Sequence, residues 1–291
     1  MIGLVDIGGT KLLAAAFREG VRTKPIRRPT PHTAPQATVI EMLEEVAGGK
    51  SFEKIAMAFP GPFDRSSASF LNPPGLPPAW QQLALGEIVA AHFGCAVLAE
   101  NDANCAALAE WTEGAGQGTT SMTYLTISTG VGTGAISNGR LITGRADTEG
   151  GHQVLWPRFL GGPSCDCGGY GCLETLISGR AILRRFGTSP EALTSQAAWD
   201  EIGRWAGIAV ANITALYDPE IVVIGGGVAA QWDRFHPSLM RTVEEHLHLL
   251  PSPAIVRGVL EEDRNLWGAL RLALDSNVQP VGTEDGDKVQ P

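Results

Sequence analysis

The chain has 291 residues, with 22 lysines and arginines against 31 aspartates and glutamates, which gives a net charge of −9. At about 150 residues per domain, this length predicts two domains that need no disulfide scaffold. The acidic balance argues against nucleic acid and against an anionic membrane surface as partners, because both attract basic proteins. The sequence contains no run of about 18 apolar residues, so it predicts no transmembrane helix.

The first 17 residues do not read as a signal peptide, because Asp6 and Lys11 interrupt the apolar stretch. We therefore expect a cytoplasmic protein whose five cysteines stay reduced. Clustered cysteines in that compartment favour a metal site over disulfides. Cys95 and Cys105 lie apart from the cluster and are expected to be inert.

Strands alternate with helices along the chain, which predicts an α/β protein with mixed sheets. In the first part we expect a hairpin with a glycine turn at 2–6 and 12–17, a proline-rich loop or irregular edge at 25–35, a helix at 39–47, a strand at 54–59, a proline loop at 72–78, a helix at 83–93, a strand at 96–99 and a helix at 102–111. The glycine-rich segment 114–120 is the clearest hinge or linker.

The second part begins with another strand–glycine–strand pattern. We expect strands at 122–128 and 134–137, a helix at 196–217, a strand at 221–224, a helix at 231–249, a strand at 254–256 and a helix at 266–274. The polar tail 276–291 is expected to be disordered.

Two glycine-rich loops suit phosphate. After the first buried strand, Asp6 can hold a hydrated Mg²⁺, Gly8 and Gly9 let the backbone approach phosphate oxygens, and Thr10 and Lys11 add a hydroxyl and a positive charge. The second loop, 128–134, offers hydroxyls and backbone N–H groups through Thr129, Gly130, Gly132, Thr133 and Gly134. Its spacing matches neither the Rossmann fingerprint nor the Walker P-loop. A plain hairpin turn is the alternative for the first loop, and the second loop by itself does not establish a phosphate site.

A third glycine motif, Gly225, Gly226 and Gly227, follows a buried strand and precedes a helix. Three glycines permit close approach of a flat ligand such as adenine. A tight strand-to-helix turn is the alternative, and this motif alone does not decide between them.

The segment Glu100-Asn101-Asp102-Ala103-Asn104 closes one strand and opens a helix. Asp102 can be the N-cap of that helix. Two acids and two amides in five residues exceed what one cap requires, however. We therefore favour Asp102 as a general base and Asn101 as a group that orients a substrate hydroxyl.

The most specific local signal is Cys165, Cys167 and Cys172, spaced by glycines as in a zinc knuckle. His152 can supply a fourth ligand, and three sulfurs with one nitrogen complete a closed, structural Zn²⁺ site. Three buried thiols are the alternative, but glycine-spaced cysteines in a loop are poorly suited to core packing. Glu149 and Glu174 flank this loop and can accept hydrogen bonds from a polyol, or serve as solvated surface charges.

Together these motifs resemble the ROK sugar-kinase family of the actin-like ATPase superfamily, over nearly the whole chain from Ile2 to about Leu274. The resemblance is carried, in order, by DIGGTK (6–11), FPGP (59–62), ENDAN (100–104), STGVGTG (128–134), EGGH (149–152), CDCGGYGCLE (165–174) and VIGGGV (223–228). It implies two lobes of RNase-H-like topology with ATP and sugar in the cleft between them. The lobes are expected at 1–114 with 262–275, and at 115–261.

Positions carried over from the family imply individual roles. Asp102 is the catalytic base, and the sugar ligands are Gly61, Asn72, Asn101, Asp102, Glu149, His152 and Glu174. Asp6, Gly8–Lys11, Thr129–Gly134 and Gly225–Gly227 bind Mg-ATP, and His152, Cys165, Cys167 and Cys172 hold zinc. The resemblance also implies a homodimer that acts as an ATP-dependent kinase on the C6 hydroxyl of a hexose.

The substrate and the activity leave alternatives. Glucose is favoured, with N-acetylmannosamine, N-acetylglucosamine or fructose as other substrates that the family implies, and polyphosphate as another donor. A transcriptional repressor of the family is expected to carry a DNA-binding segment ahead of DIGGTK, and this motif begins at residue 6. A sugar-binding protein without catalysis is disfavoured by the presence of Asp6, Asp102 and both glycine loops.

Overall fold

The computed structural model describes residues 1–73, 75–144 and 147–275. The helices are α1 (Pro35–Ala47), α2 (Leu85–Phe93), α3 (Asp102–Glu113), α4 (Glu174–Ile177), α5 (Gly179–Phe186), α6 (Gln196–Tyr217), α7 (Trp232–His246) and α8 (Arg264–Leu274). The strands are β1 (Ile2–Ile7), β2 (Lys11–Arg18), β3 (Val21–Arg22), β4 (Ile26–Pro29), β5 (Lys54–Phe59), β6 (Phe63–Asp64), β7 (Ser69–Phe70), β8 (Ala96–Asn101), β9 (Met122–Ile127), β10 (Val131–Ser137), β11 (Arg140–Ile142), β12 (Ile221–Gly225) and β13 (Ala254–Arg257). Short 3₁₀ helices lie at Pro78–Trp80, Gly150–His152, Arg158–Leu160 and Val228–Gln231. The predicted disordered tail, 276–291, lies outside the described residues.

The chain divides into two compact units. Unit 1 comprises Met1–Ala109, Gly144–Asp147 and the chain from Glu261, and unit 2 comprises Glu110–Thr143 and Thr148–Leu260. The sequence analysis placed the lobe boundaries after residues 114 and 261, whereas the units change after residues 109 and 260. The assignment of 144–147 to unit 1 was not predicted. None of the described helices is both long and apolar enough to span a membrane.

The sheet of unit 1 has the order β3-β2-β1-β5-β8, with β4 also paired to β2. β1 and β2 form the predicted antiparallel hairpin, and β5 and β8 run parallel to β1. The carboxyl ends of β1, β5 and β8 therefore meet at one edge of the sheet. Three predicted motifs lie at these ends: Asp6–Lys11, the Gly61 loop and Asn101-Asp102. Ligands of open α/β sheets bind at such an edge.

Unit 2 repeats this arrangement with the order β11-β10-β9-β12-β13. β9 and β10 are antiparallel, and β12 and β13 run parallel to β9. The 128–130 loop and the Gly225–Gly227 turn consequently follow neighbouring parallel strands at one edge. The recurrence of a hairpin beside parallel strands agrees with the two strand–glycine–strand patterns in the sequence.

Alternate residues of β1 build two different cores in unit 1, because successive side chains of a strand point to opposite faces. Val5 packs with residues of α1 and α2, whereas Leu4 packs with Leu266 and Leu270 of α8. Burial on both faces explains why these strands read as continuous apolar runs. Unit 2 has its own core, in which α6 and α7 pack on β9 and β12.

The segment 114–120, predicted as a hinge or linker, is a compact hydrogen-bonded turn at the end of α3. The carboxylate of Glu110 is fully buried and accepts hydrogen bonds from Ala115 N (2.9 Å), Val259 N (3.3 Å) and Leu260 N (3.0 Å). The carbonyl oxygen of Glu110 also accepts from Gly116 N at 2.8 Å. One side chain therefore holds two distant stretches of unit 2 together.

Two of the predicted elements need correction. Part of the proline-rich segment 25–35 forms β4, because Ile26 to Pro29 pair with β2 at the sheet edge, where proline's missing N–H costs no ladder hydrogen bond. The strand predicted from residue 134 begins at Val131, so the second phosphate loop is only 128–130 long.

Candidate active site

The first phosphate loop is the tight turn between β1 and β2. Gly8 N donates to Lys11 O at 3.0 Å, and Gly8 O accepts from Thr30 Oγ1 at 2.5 Å. A Cβ at Gly9 would lie 2.6 Å from the carbonyl oxygen of Gly75, so only glycine fits there. Lys11 is ion-paired with Glu262, and burial lowers the pKa of Lys11.

Asp6 is buried at the carboxyl end of β1. Its Oδ1 accepts a hydrogen bond from Asn265 Nδ2 at 3.0 Å. Burial raises the pKa of Asp6 to about 6, although Asn265, Lys11 and Arg264 act in the opposite direction. Because burial outweighs these three partners, the ionised carboxylate remains destabilised, and a cation would relieve that cost. A buried carboxylate at this position is chemically suited to hold the Mg²⁺ ion that the sequence predicts, and that ion stays a prediction.

Replacement of Asp6 by asparagine gives a prediction with a definite sign. Because the folded-state pKa of about 6 lies above the ordinary 3.8, ionisation of Asp6 costs stability that grows between pH 4 and 6 and is complete above that range. The full cost is about 3 kcal/mol. We expect Asp6→Asn, in EDTA, to gain thermal stability over wild type at pH 8 but not at pH 4. Equal differences in melting temperature at the two pH values would contradict the burial of this charge.

The second phosphate loop is held by a carboxylate. Ser128 N donates to Gly130 O at 2.8 Å, and Val131 N donates to Glu174 Oε2 at 3.0 Å. A Cβ at Gly130 would lie 2.5 Å from the same Glu174 oxygen. The other oxygen of Glu174 accepts from Arg180 Nη2 at 3.3 Å. Glu174, predicted as a sugar ligand, therefore already binds the loop that the sequence assigned to phosphate.

The remaining members of the second motif lie in β10. Gly132, Thr133 and Gly134 belong to the strand, and Thr133 is buried. Its Oγ1 donates to Thr148 O at 3.1 Å and accepts from Gly150 N at 2.9 Å. The Thr133 hydroxyl thus fixes the segment that carries Glu149, while Thr129 lies exposed in the loop.

Two of the three glycines in the third motif differ in whether the fold has room for a side chain. Gly226 has φ +92°, and a Cβ there would lie 2.4 Å from Ile127 O. A Cβ at Gly227 would meet nothing within 4 Å. The fold therefore requires glycine at 226 but not at 227.

We expect Gly226→Ala to destabilise the protein by about 2 kcal/mol or more, because positive φ and backbone contact both oppose a side chain. Gly227→Ala is expected to leave the melting temperature within about 2 °C of wild type and to weaken ADP binding if adenosine lies at this turn. Calorimetry with ADP and thermal unfolding measure both effects. Unchanged ADP affinity in Gly227→Ala would remove adenosine from this turn.

At the junction of β8 and α3, one residue caps the helix and the next carries the predicted catalytic carboxylate. Asn101 is buried, and its Oδ1 accepts hydrogen bonds from Ala103 N (2.9 Å) and Asn104 N (3.3 Å). Asn101 therefore caps α3, which corrects the alternative that Asp102 is the N-cap. Asp102 is half-buried at the first position of the helix. Capping occupies Asn101 Oδ1, so the amide NH₂ is the group it can offer to a substrate oxygen.

Gly61 and Asn72 flank the short hairpin of β6 and β7. Gly61 lies two residues after the end of β5 and precedes Pro62 through a cis peptide bond. Asn72 is exposed just after β7. The hairpin rests on the core through Phe70, whose ring stacks on Phe59 with centroids 4.4 Å apart.

His152, Cys165, Cys167 and Cys172 form a cluster whose ligand atoms all lie within 4.8 Å of one another. Cys165 Sγ lies 3.7 Å from His152 Nδ1, and Cys167 Sγ lies 3.7 Å from Cys172 Sγ. Four ligands around tetrahedral zinc, at Zn–S distances of about 2.3 Å, are about 3.8 Å apart. The donor set and its spacing therefore fit the predicted zinc.

The thiols of this cluster differ in acidity. Burial and the neighbouring thiols raise the pKa of Cys172 to about 12. At Cys167 burial acts to raise the pKa, but hydrogen bonds from Gly169 N and the other thiols outweigh it and lower the pKa. Ionising all three thiols at this spacing costs electrostatic energy, which a bound cation would offset.

Glu149 immediately precedes the 3₁₀ turn that carries His152. It is exposed, yet the surrounding protein desolvates its carboxyl and raises its pKa; His152 opposes this shift and Glu174 adds to it. The two predicted sugar carboxylates therefore lie within electrostatic reach of each other in unit 2.

A model of the ROK family matches residues 2–276. The chain is a member of the ROK family. It is 30% identical to the glucokinase of Streptomyces coelicolor over 310 residues, which cover 92% of this chain and 96% of that one. The ROK hexokinase of Thermus thermophilus superposes with a TM-score of 0.79 at 31% identity, covering 92% of this chain and 96% of that one. A Streptomyces griseus ROK family glucokinase, solved with glucose and AMPPNP, gives 0.78 at 28% identity, with coverages of 93% and 98%.

These similarities confirm the predicted family and the two-lobed actin-like α/β fold class of this ROK protein. Within unit 1, the structure brings the Asp6 loop, the Gly61 loop and Asp102 to one sheet edge. Within unit 2, it brings the cluster of His152 and three cysteines together with Glu174 and the 128–130 loop.

The sequence interpretation missed three residues in this ROK protein. Glu100 was read only as part of a motif, and it proves to be a buried hydrogen-bond centre beside Asp102. Arg65 binds Glu100 from the β6–β7 hairpin. Arg180 pairs with Glu174 and with Asp166 of the cysteine loop. A buried acid within a polar pentapeptide was the one signal available for the first of them.

Proposed function

We propose that the protein is an ATP-dependent hexose kinase that transfers the γ-phosphoryl group of ATP to the primary C6 hydroxyl of a hexose, with glucose as the favoured substrate. The observation that carries this proposal is the placement of Asp102. Asn101 caps α3 through the N–H groups of Ala103 and Asn104, while Asp102, whose Oδ1 accepts from Ala103 N at 2.8 Å, holds its carboxylate at the carboxyl edge of the sheet. Similarity to the Streptomyces griseus glucokinase supports the proposed activity on a hexose with ATP as donor.

In this mechanism Asp102 accepts the proton of the C6 hydroxyl as its oxygen attacks phosphorus in line. The proposed sugar ligands are Gly61, Asn72, Asn101 and Asp102 in unit 1, and Glu149, His152 and Glu174 in unit 2. Asn101 donates through its amide NH₂, since its oxygen caps the helix. The carboxylates accept hydrogen bonds from sugar hydroxyls, and the raised pKa of Glu149 makes its share of this binding weaken as the pH falls.

The proposed ATP ligands are Asp6, Gly8, Gly9, Thr10, Lys11, Thr129, Gly130, Gly132, Thr133, Gly134, Gly225, Gly226 and Gly227. When bound, Mg²⁺ supplies charge neutralisation for the transferred group, and Asp6 is the residue that would hold it. Zinc bound by His152, Cys165, Cys167 and Cys172 would fix the loop between Glu149 and Glu174.

Homodimerisation and a cytoplasmic location also belong to this proposal. Both rest on the family resemblance and on the sequence. Sedimentation equilibrium of the purified protein distinguishes a dimer of 30.7 kDa chains from a monomer.

The proposal is tested by coupled ADP release with Mg-ATP against glucose, mannose, fructose, allose, N-acetylglucosamine and N-acetylmannosamine. Turnover with glucose alone supports the full proposal, and turnover with an N-acetyl sugar or fructose keeps the kinase but changes the substrate. Absence of turnover with every sugar, with ATP and then with polyphosphate as donor, contradicts a kinase. Calorimetric sugar binding without ADP release would then identify a sugar-binding protein.

A further inference from the structure

One ion pair joins the β6–β7 hairpin to the end of β8. Arg65 Nη1 lies 2.6 Å from Glu100 Oε2, and Arg65 Nη2 lies 2.7 Å from Glu100 Oε1. Only 3% of the Glu100 side chain is exposed. Two parallel charge-assisted hydrogen bonds of this kind fix the orientation of both partners as well as their distance.

Glu100 in turn holds the residues on either side of Asp102. Its Oε1 accepts from Asn101 N at 2.8 Å and from Asn104 Nδ2 at 2.9 Å. Asn101 then caps the helix through its own side chain. Glu100 therefore holds the backbone just before Asp102, at Asn101, and the side chain of Asn104 just after it.

Arg65 lies in the β6–β7 hairpin, which is flanked by the proposed sugar ligands Gly61 and Asn72. The hairpin that carries it starts after Gly61 and ends before Asn72. The Arg65 guanidinium lies over the Phe63 ring, 5.4 Å from its centroid, and also pairs with Asp147. Burial acts to lower the pKa of Arg65, but Glu100 and Asp147 outweigh it and raise the pKa, so the charge is kept.

We propose that Arg65 and Glu100 are positioning residues that set Asp102 in register with the sugar-binding loops at Gly61 and Asn72. This inference rests on the proposed function, because it takes Asp102 as the base. A buried ion pair is weak grounds for stability, since its desolvation offsets its attraction. Its geometric effect is larger, because a displacement of about 1 Å between reacting groups can lower a rate about a hundredfold.

The consequence reaches substrate choice as well as rate. A sugar is phosphorylated only if its hydroxyls reach the hairpin loops while its C6 oxygen reaches Asp102. Loosening the ion pair lets the base adjust to sugars with a different arrangement of hydroxyls. Discrimination between epimers should therefore narrow together with the fall in kcat.

The test compares Arg65→Lys, Glu100→Gln and the double variant with wild type on the best sugar and on its C4 epimer. We expect kcat on the best sugar to fall about 10- to 100-fold in each single variant, with KM for ATP within about twofold. The kcat of the double variant should lie within about twofold of the lower kcat of the two single variants, because the two residues act as a unit. The preference in kcat/KM for the best sugar over its epimer should shrink about threefold or more.

Arg28→Lys is the matched control, since Arg28 forms a surface pair with Glu41 and Glu45 in the same unit at 2.8 and 2.9 Å. It should leave kcat and sugar preference unchanged. Melting temperature and circular dichroism give the folded fraction of every variant. If Glu100→Gln does not fold, Arg65→Lys carries the test, because it leaves the Glu100 contacts to Asn101 and Asn104 intact.

Three results overturn the inference: unchanged kcat and sugar preference in the variants, a loss of rate that only follows the unfolded fraction, or failure of Arg65→Lys to fold. A wild-type protein that releases no ADP with any sugar overturns the proposed function and this inference together. Wild-type turnover with unaltered variants overturns the inference alone, so the two failures are distinguishable.

Discussion

Asp102→Asn is expected to lower kcat by about 10²- to 10⁴-fold, the range that general-base catalysis contributes, while the protein stays folded. Asparagine has nearly the same shape as aspartate but cannot accept the proton of the attacking hydroxyl. The fold should tolerate the change, because Asn101 and not Asp102 caps α3. Loss of a negative charge in the first turn of a helix costs about 1 kcal/mol at an exposed site and up to about 2 kcal/mol at a partly buried one.

The measurement is ADP release at saturating sugar and ATP, with KM for each and the melting temperature. Asp233→Asn is a matched control, since Asp233 is an exposed acid in the first turn of α7. It should keep wild-type kcat. Near-normal turnover by folded Asp102→Asn would remove Asp102 as the base. A large rise in sugar KM with unchanged kcat would instead make it a binding residue.

Cys167→Ser is expected to lose zinc and to destabilise unit 2. Metal analysis of wild type should find about one zinc per chain, and the variant should retain little of it. Cys167 supplies one of the four ligand atoms, and serine is a poor zinc ligand, so the remaining three donors hold the ion weakly. A loss of about 2–3 kcal/mol of folding free energy corresponds to a melting temperature about 5–10 °C lower.

The same variant should raise KM for the sugar more than KM for ATP, because the cysteine loop lies between the proposed sugar ligands Glu149 and Glu174. Cys95→Ser serves as the control, since Cys95 is a half-buried thiol of unit 1 outside the cluster. It should keep its zinc and its stability. Wild-type protein that is free of metal yet fully stable would contradict the zinc site.

Most strands and helices followed from the periodicity of apolar residues. Strand β5 and helix α6 have the predicted bounds, 54–59 and 196–217, because both are long apolar patterns ended by turn residues. Strand β4 was predicted only as part of a loop or irregular edge, because its proline and two arginines are poor strand formers. It forms only because β2 offers an edge to pair with, which is a tertiary contact.

In the candidate site as well, local features could be predicted from the sequence and tertiary contacts could not. Motifs that are continuous in sequence, such as the cysteine loop and the glycine turns, could be read from residue types and spacing. The Arg65–Glu100 pair could not, because its members are 35 residues apart and meet only after the hairpin has folded onto β8. Which neighbour caps α3 also depended on geometry, since asparagine and aspartate are equally good caps.

The pairing of Asp6 with Asn265 spans 259 residues, and α8 supplies one face of the unit 1 core. During synthesis, the ribosome delivers Asp6 before unit 2 and Asn265 after it. All of unit 2 emerges in between and can fold before unit 1 has its final helix. Until α8 arrives, Leu4 and its neighbours on that face of the sheet remain exposed on the nascent chain. Unit 1, although it begins first, is therefore completed last.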